Sequence, residues 1–393
     1  MNENWLLLGA FAVAGLLVLN ISSFLIILLH ELGHALPALF FTKRPVIIYI
    51  GSYGDDIGPK FRIGKLTIRI KPRLSYLRAG GLSTYEAIPS TAKNYTILLG
   101  GPLVTLAITA VLMPVVFNSD FHGPLKIMVV ILLGCTMLNL IGNLYPRKLE
   151  PDTTLYSDGK QFIDILKLRG ANKCLFRAAA FFYHNQFRDT LTELDKIDKR
   201  YLNEYIASLY IQSYVELKQF GMLTAFKEKY MDAGLLASLT SYNAINLSFA
   251  NIQLKEYPEA LALLDKAIEL DDESYYAYNN RGFVHNLLGN YAAAKADLNK
   301  ACKLDPNAAY SVTNRAYSNI KLGLMDEALA DINRSMELNE HNAYIYLVQG
   351  MYQLETGRLS EALANFEKAK NMEATTVLVD DYIALAKSKL FQP

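Results

Sequence analysis

The residues most able to do chemistry are His30, Glu31 and His34, which form a His-Glu-x-x-His pattern. On a helix, side chains four residues apart lie on one face, so the two imidazoles can bind the same Zn²⁺ ion. The glutamate beside the first histidine can then act as the general base that activates water. The pattern predicts a zinc hydrolase in which His30 and His34 are metal ligands and Glu31 is catalytic.

The element that carries this motif is a long apolar segment. Residues 5–29 contain no Lys, Arg, Asp or Glu, and about 25 helical residues are enough to cross a hydrocarbon core of about 30 Å. An ionisable side chain near the bilayer centre costs about 2.5–3.5 kcal/mol, so Glu31 needs a partner or a function there. We therefore expect the metal centre at membrane depth or at the inner interface.

Two further segments have spanning length, residues 95–117 and 125–145. The loop from Lys43 to Lys93 carries ten basic and three acidic residues, whereas the connection 118–124 has no basic residue. The positive-inside rule predicts a multi-pass protein of the cell membrane with the N-terminus outside and the C-terminal region in the cytoplasm. Three widely spaced cysteines imply no disulfide framework, which agrees with a reducing compartment.

A catalytic zinc needs a third protein ligand besides the two histidines. An acidic residue just beyond the inner end of the third span is placed to reach them. Asp158 is the candidate, and Asp152 and Glu150 are the alternatives.

The motif at the end of the first span, together with Asn143-Leu144-Tyr145-Pro146 and then Asp158-Gly159 after the third, resembles the site-2 protease family of intramembrane zinc metalloproteases. The resemblance covers about residues 1–165. It implies that His30, His34 and Asp158 bind Zn²⁺ and that Glu31 activates water. It also implies that the turn from Asn143 to Pro146 helps to admit substrate.

Two features depart from that family's pattern. The gap from Pro146 to Asp158 is longer than in most relatives, and Thr105 stands where relatives often carry Asn after a Gly-Pro pair. A threonine hydroxyl cannot reproduce the two-sided pairing of a carboxamide. Thr105 is thus a candidate substrate contact, with helix packing as the alternative.

The basic loop has strand character. Residues 46–50 are β-branched and aromatic, and residues 60–63 and 66–70 alternate around a Gly64-Lys65 turn. These patterns predict a small sheet on the cytoplasmic side. Its edge could pair with an extended substrate, or its basic face could contact anionic lipid headgroups.

The region after about residue 165 is helical and repeats every 34 residues. The repeating positions are Leu270, Leu304, Leu338 and Met372; Ala260, Ala294, Ala328 and Ala362; and Gly289, Gly323 and Gly357, with Lys255 in the preceding slot. This period resembles tetratricopeptide repeats, here from about Ser241 to Met372. Two weaker pairs around 187–197 and 220–230, and a capping helix near 376–390, are expected to complete the stack.

Such a stack forms a concave groove that suits an extended peptide or protein partner. Residues predicted to face it are Tyr278, Asn279, Asn280, Asn314, Arg315 and Tyr346. The alternative for these positions is solvated helix surface.

The sequence predicts a mainly α protein with two domains. Residues 1–165 form a polytopic membrane metalloprotease domain with a small β-rich insertion, and residues 166–393 form a cytoplasmic α-α solenoid. The predicted function is Zn²⁺-dependent cleavage of transmembrane segments (regulated intramembrane proteolysis), with the repeats recruiting substrate or a regulator. The alternatives are a membrane-anchored repeat scaffold with a structural or inactive metal site, and a tethered peptidase for soluble substrates. A net charge of +1 and the absence of any nucleic-acid-binding signature argue against a nucleic-acid partner.

Overall fold

A computed structural model describes residues 3–53, 58–76, 79–117, 123–149, 155–373 and 378–390. The N-terminal part is built on three long helices, α1 (Glu3–Thr42), α2 (Thr91–Phe117) and α3 (Gly123–Leu144). Within the described residues, each contains a stretch long and apolar enough to cross a membrane. Many large apolar side chains on these helices are exposed, among them Leu16 at 65% and Phe117 at 77%.

Helix α1 continues well beyond the predicted span of 5–29. It runs to Thr42, and its apolar stretch covers residues 12–42. The cause is the composition after the motif, where residues 35–41 are all apolar. His30, Glu31 and His34 therefore lie inside a continuous helix rather than at its end.

A four-stranded sheet lies between α1 and α2 in the chain. Its strands are β1 (Val46–Ile50), β2 (Lys60–Ile63), β3 (Leu66–Ile70) and β4 (Gly81–Thr84), in the order β2-β3-β1-β4. β1 is parallel to β3, and the other two pairs are antiparallel. The first three strands match the predicted ones. The Gly-Leu-Ser-Thr sequence of β4 lacks a strand pattern, and its pairing with β1 makes it a strand.

Shorter helices follow α3. They are α4 (Asp158–Lys167), α5 (Asn172–Tyr183), α6 (Phe187–Leu194), α7 (Glu204–Glu216), α8 (Phe220–Tyr230) and α9 (Ala233–Ser238). The chain divides into two compact units, residues 1–213 and 214–393. The predicted division at residue 165, which rests on sequence character, stays a prediction.

Regular helical pairs make up most of the second unit. They are α10 (Ser241–Gln253), α11 (Tyr257–Leu270), α12 (Tyr275–Leu287), α13 (Tyr291–Leu304), α14 (Ala309–Lys321), α15 (Met325–Leu338), α16 (Ala343–Glu355) and α17 (Leu359–Met372), followed by α18 (Val379–Leu390).

The 34-residue period sets the packing of these pairs. The repeated alanines at 260, 294, 328 and 362 are all fully buried. The turn glycines at 289, 323 and 357 have φ between 73° and 78°, and Lys255 in the same slot has φ of 63°. A left-handed residue closes each first helix, which is why glycine recurs at this position.

Candidate metal centre

Three metal-ligating side chains come together where α1 meets the start of α4. The Nε2 atoms of His30 and His34 are 3.3 Å apart, and Asp158 Oδ2 lies 2.9 Å from the first and 3.4 Å from the second. The three ligand atoms all lie within 4.8 Å of one another, and both imidazoles are buried. The structure thus brings the three predicted ligands to one point. Glu150 and Asp152, the alternative third ligands, lie outside the described residues.

Hydrogen bonds on the far side of each imidazole indicate which nitrogen carries the proton. The Nδ1 atom of His34 lies 2.7 Å from the carbonyl oxygen of Ile97, which can only accept, so Nδ1 donates. The Nδ1 atom of His30 lies 2.8 Å from Thr105 Oγ1, and that hydroxyl donates its own hydrogen to Gly101 O at 3.1 Å. Thr105 therefore accepts from His30, and these partners assign both tautomers.

In its neutral form, each imidazole with Nδ1 as the donor leaves the lone pair of Nε2 available for a metal ion beside the Asp158 carboxylate. A positive charge between the Nε2 atoms and the anionic oxygen, either a metal ion or a proton on one Nε2, stabilises such short distances. Two imidazoles and one carboxylate are also a donor set of catalytic zinc sites. The residues present fit a Zn²⁺ ion bound by His30, His34 and Asp158, with Thr105 and Ile97 orienting the imidazoles.

Glycines let the backbones of α1 and α2 touch beside this centre. A Cβ atom at Gly33 would lie 2.4 Å from Gly100 O, and one at Gly100 would lie 1.9 Å from Gly33 O. A Cβ atom at Gly101 would lie 2.2 Å from His34 Nε2. Any larger residue at these positions would push the helices apart or displace the imidazole.

Asp158 is presented by residues 147–149 and 155–157, which we call the ligand hairpin. The two strands run antiparallel, with a bridge between Lys148 and Tyr156 and a 3.0 Å hydrogen bond from Ser157 N to Arg147 O. The Ser157 hydroxyl accepts from the first turn of α4 and so caps the helix that begins with Asp158. The pairing of 155–157 with 147–149 brings the start of α4 back to the end of α3.

The glycine after the third ligand has a packing role. A Cβ atom at Gly159 would lie 1.8 Å from Leu144 O, the last residue of α3. Only glycine therefore lets the start of α4 approach α3 this closely. The Asp158-Gly159 pair combines a ligand with the contact that places it.

Glu31 is buried, 6% exposed, against the edge strand β4. Ser83 Oγ donates to Glu31 Oε2 at 2.8 Å and lies 3.0 Å from the Glu31 carbonyl oxygen. A Cβ atom at Gly81 would lie 2.7 Å from both Cγ and Oε1 of Glu31. β4 thus fixes the carboxylate. The contact from Ser83 is one that the sequence analysis missed, because a lone serine in an unpredicted strand gives no signal.

An open cavity of about 110 Å³ adjoins the carboxylate. Glu31 lines it from α1, Gly80 and Gly81 from the start of β4, and Asn139 and Asn143 from α3. Polar groups from three elements therefore surround a space next to the predicted general base.

The predicted substrate-binding residues occupy different surroundings. Asn143 lines the cavity and donates to Asn139 Oδ1 at 3.1 Å. Pro146 is exposed two residues beyond the end of α3. Thr105 is 1% exposed and bonded to a ligand histidine, so the structure gives it an orienting role; its substrate contact stays a prediction.

The Tyr85 phenol follows β4 near the metal centre. Burial, with a contribution from the Asp158 carboxylate, raises the pKa of Tyr85 to about 12. The phenol is therefore neutral at physiological pH and adds no negative charge beside the ligands.

The predicted groove residues of the repeats are only partly available. Asn314 and Tyr346 are 4% and 7% exposed, and Arg315 is bound by Asp331 at 2.6 Å. Asn314 and Tyr346 are too buried to present their side chains to a partner, and the repeat pattern alone does not show which polar side chains connect neighbouring helices. The groove position of Arg315 stays a prediction. Three tyrosines at the 34-residue period are more than half exposed: Tyr242, Tyr276 and Tyr310.

Comparison with known proteins identifies the repeats. The tetratricopeptide repeat family matches residues 275–308. A search of curated proteins finds no match. The repeat half therefore contains a tetratricopeptide repeat, and the comparisons leave the metal centre untested.

Solved structures give loose likenesses of fold. The structure described as MamA MSR-1 is 18% identical, with 45% of this chain and 98% of that chain covered and a TM-score of 0.35. The APC/C hetero-tetramer Cut9-Hcn1 is 13% identical, with coverages of 76% and 57% and a TM-score of 0.43. YrrB, described as a TPR protein with an unusual peptide-binding site, is 24% identical, with coverages of 44% and 83% and a TM-score of 0.29.

Proposed function

We propose that this chain is a membrane-embedded zinc metalloprotease that cleaves transmembrane segments of other membrane proteins, with the repeats recruiting a substrate or a regulator. The observation that carries the proposal is the convergence of two histidine Nε2 atoms and a carboxylate beside a buried glutamate and a cavity. The exposed apolar surfaces of α1 to α3 suit a lipid environment. The basic loop and the repeats are assigned to the cytoplasm by the positive-inside rule.

Each residue of the centre has a defined task in this reaction. His30, His34 and Asp158 hold Zn²⁺, which when bound supplies Lewis-acid polarisation of the scissile carbonyl and a lowered pKa for water. Glu31 accepts the proton of the attacking water and returns it to the leaving amine. Ser83 holds the Glu31 carboxylate in place through its 2.8 Å hydrogen bond.

Substrate is expected to meet the enzyme as an extended strand. β4 is an edge strand, and its first residue, Gly81, lies against Glu31. Backbone pairing with this edge would hold a peptide unwound next to the general base. Asn143, across the cavity, supplies amide groups that can bond to the same peptide.

A membrane-anchored repeat scaffold is the second candidate. The family match at residues 275–308 favours it, because it concerns the repeats and says nothing of a protease. In that case the metal would have a structural role or be lost, and Glu31 would have no chemical task.

Zinc content and cleavage together decide between the candidates. We expect about one zinc per chain in detergent-purified wild type, lost in His34→Ala and Asp158→Asn and kept in Glu31→Gln. In cells, membrane-protein fragments produced with wild type should disappear with Glu31→Gln while the uncut proteins accumulate. Zinc with no Glu31-dependent fragment would favour the scaffold, and cleavage by Glu31→Gln would refute the mechanism.

A further inference from the structure

The ligand hairpin is held from outside by one carboxylate. Glu204, the first residue of α7, has Oε1 3.0 Å from Lys148 Nζ, and its Oε2 accepts from Tyr156 OH at 2.8 Å. Lys148 and Tyr156 are the two residues paired across the bridge of the hairpin. A single side chain from another element therefore ties the two strands together. We call these three residues the clasp.

We propose that Glu204 is a positioning residue that fixes the ligand hairpin and so keeps Asp158 at the metal centre. His30 and His34 are held by α1 itself, whereas Asp158 depends on a hairpin and on the helix start that follows it. Asp158 is two residues beyond Tyr156, so a shift of the bridge is passed on to the third ligand. The inference rests on the metal centre of the proposed function.

The surroundings of the clasp strengthen its bonds. The Glu204 side chain is 12% exposed and that of Lys148 is 27% exposed, so solvent screens this pair less than a surface ion pair. Two charge-assisted bonds to one carboxylate are the kind that fixes geometry.

Glu204 lies at the start of the helix that contains the boundary between the two compact units. α7 runs from Glu204 to Glu216 and contains the boundary between the two compact units at residue 213. The helix that carries Glu204 is thus the one through which the chain continues into the second compact unit. A displacement of its first turn would loosen zinc without touching a ligand.

The rate of zinc release tests the clasp directly. Full-length Glu204→Ala in detergent should lose zinc to excess chelator about 10-fold faster than wild type, because Asp158 is then held less firmly; this is the lower end of the loss seen when a direct partner of a metal ligand is removed. Asp195→Ala is the matched control, because Asp195 also accepts from a tyrosine, Tyr210 (2.9 Å), and pairs with a lysine, Lys199 (3.5 Å), away from the hairpin. Equal release rates in the two variants would overturn the proposal.

A disulfide staple separates a positioning effect from general damage. Lys148→Cys and Tyr156→Cys are introduced into Glu204→Ala, with the native cysteines replaced, because facing residues of an antiparallel bridge lie within disulfide range. The oxidised protein should regain the wild-type release rate and the reduced protein should not. If both the oxidised and the reduced protein release zinc fast, Glu204 does not act by holding the hairpin closed, and the proposal is overturned.

A zinc-independent measurement keeps the two hypotheses distinguishable. Wild type that holds zinc but cuts nothing would refute the protease and leave the clasp test intact. If wild type holds no zinc, the metal centre fails. Trypsin cleavage after Arg147 then reports hairpin opening, with about 10-fold faster cleavage expected in Glu204→Ala from the loss of charge-assisted bonds. Cleavage at the wild-type rate would overturn the clasp as well.

Discussion

Replacing Thr105 with valine tests the hydrogen bond that orients His30. The substitution keeps a similar volume and removes the acceptor 2.8 Å from His30 Nδ1, at a position 1% exposed. An unpaired buried donor costs about 1–3 kcal/mol, and losing the outer partner of a ligand histidine costs about 10–100-fold in metal affinity. The energy of the unpaired donor and the loss of metal affinity agree, since a tenfold change in affinity corresponds to about 1.4 kcal/mol. We expect the zinc Kd of Thr105→Val to rise by about 10–100-fold.

Competition with a chromogenic zinc chelator, using detergent-purified protein, measures this change. Thr109→Val is the matched control, because Thr109 is also buried on α2 but donates its hydroxyl to the backbone oxygen of Thr105 at 2.9 Å. Thr105→Ser, which keeps the hydroxyl, should bind zinc nearly as wild type does. The reasoning fails if Thr105→Val and Thr109→Val bind zinc equally tightly.

Three other substitutions test separate contacts. Gly101→Ala should abolish stoichiometric zinc, because its Cβ would lie 2.2 Å from His34 Nε2. Ser83→Ala should lower kcat about 10-fold with zinc content unchanged, because the Glu31 carboxylate loses one hydrogen bond. Gly350→Ala should destabilise the repeats by about 1–3 kcal/mol, read as a lower Tm, because its Cβ would lie 2.5 Å from the Phe366 ring.

Each of these has a control. For the two glycines, Gly134→Ala in α3 and Gly221→Ala in α8 add a methyl where no atom lies within 4 Å, so zinc content and Tm should hold. For Ser83, Ser83→Thr restores a hydroxyl and should recover part of kcat. Full zinc in Gly101→Ala, an unchanged kcat in Ser83→Ala or an unchanged Tm in Gly350→Ala would contradict the respective contact.

Local sequence patterns correctly predicted the strands, turns and repeat helices whose conformation is set by neighbouring residues. The alternation around Gly64-Lys65 located β2 and β3, and the 34-residue period located the helical pairs. The same period aligned Lys255 with the turn glycines of the later repeats, and Lys255 indeed has a left-handed backbone. Such positions are readable because turn geometry and periodic burial act over a few neighbouring residues.

Residues that act across the fold escaped prediction. Ile97 orients His34 with a backbone carbonyl, which any residue could supply. Ser83 and Glu204 lie 52 and 48 residues from their hydrogen-bond partners Glu31 and Tyr156. Nothing near them in sequence marks these pairings, because tertiary structure alone brings the partners together. Asp158 was a candidate because the chemistry of a third ligand restricts the choice to acids after the third span, and the structure places it beside both histidines.

The contact between Gly33 and Gly100 bears on the direction from which a substrate can arrive. With the two backbones touching, no peptide fits between α1 and α2 at the level of the metal. The open space beside Glu31 lies on the opposite flank, against α3 and β4. In the proposed protease, a helix diffusing in the bilayer would reach the metal centre from the side of α3 and β4. Such an enzyme would choose among its targets by their direction of approach and tilt as well as by their sequence.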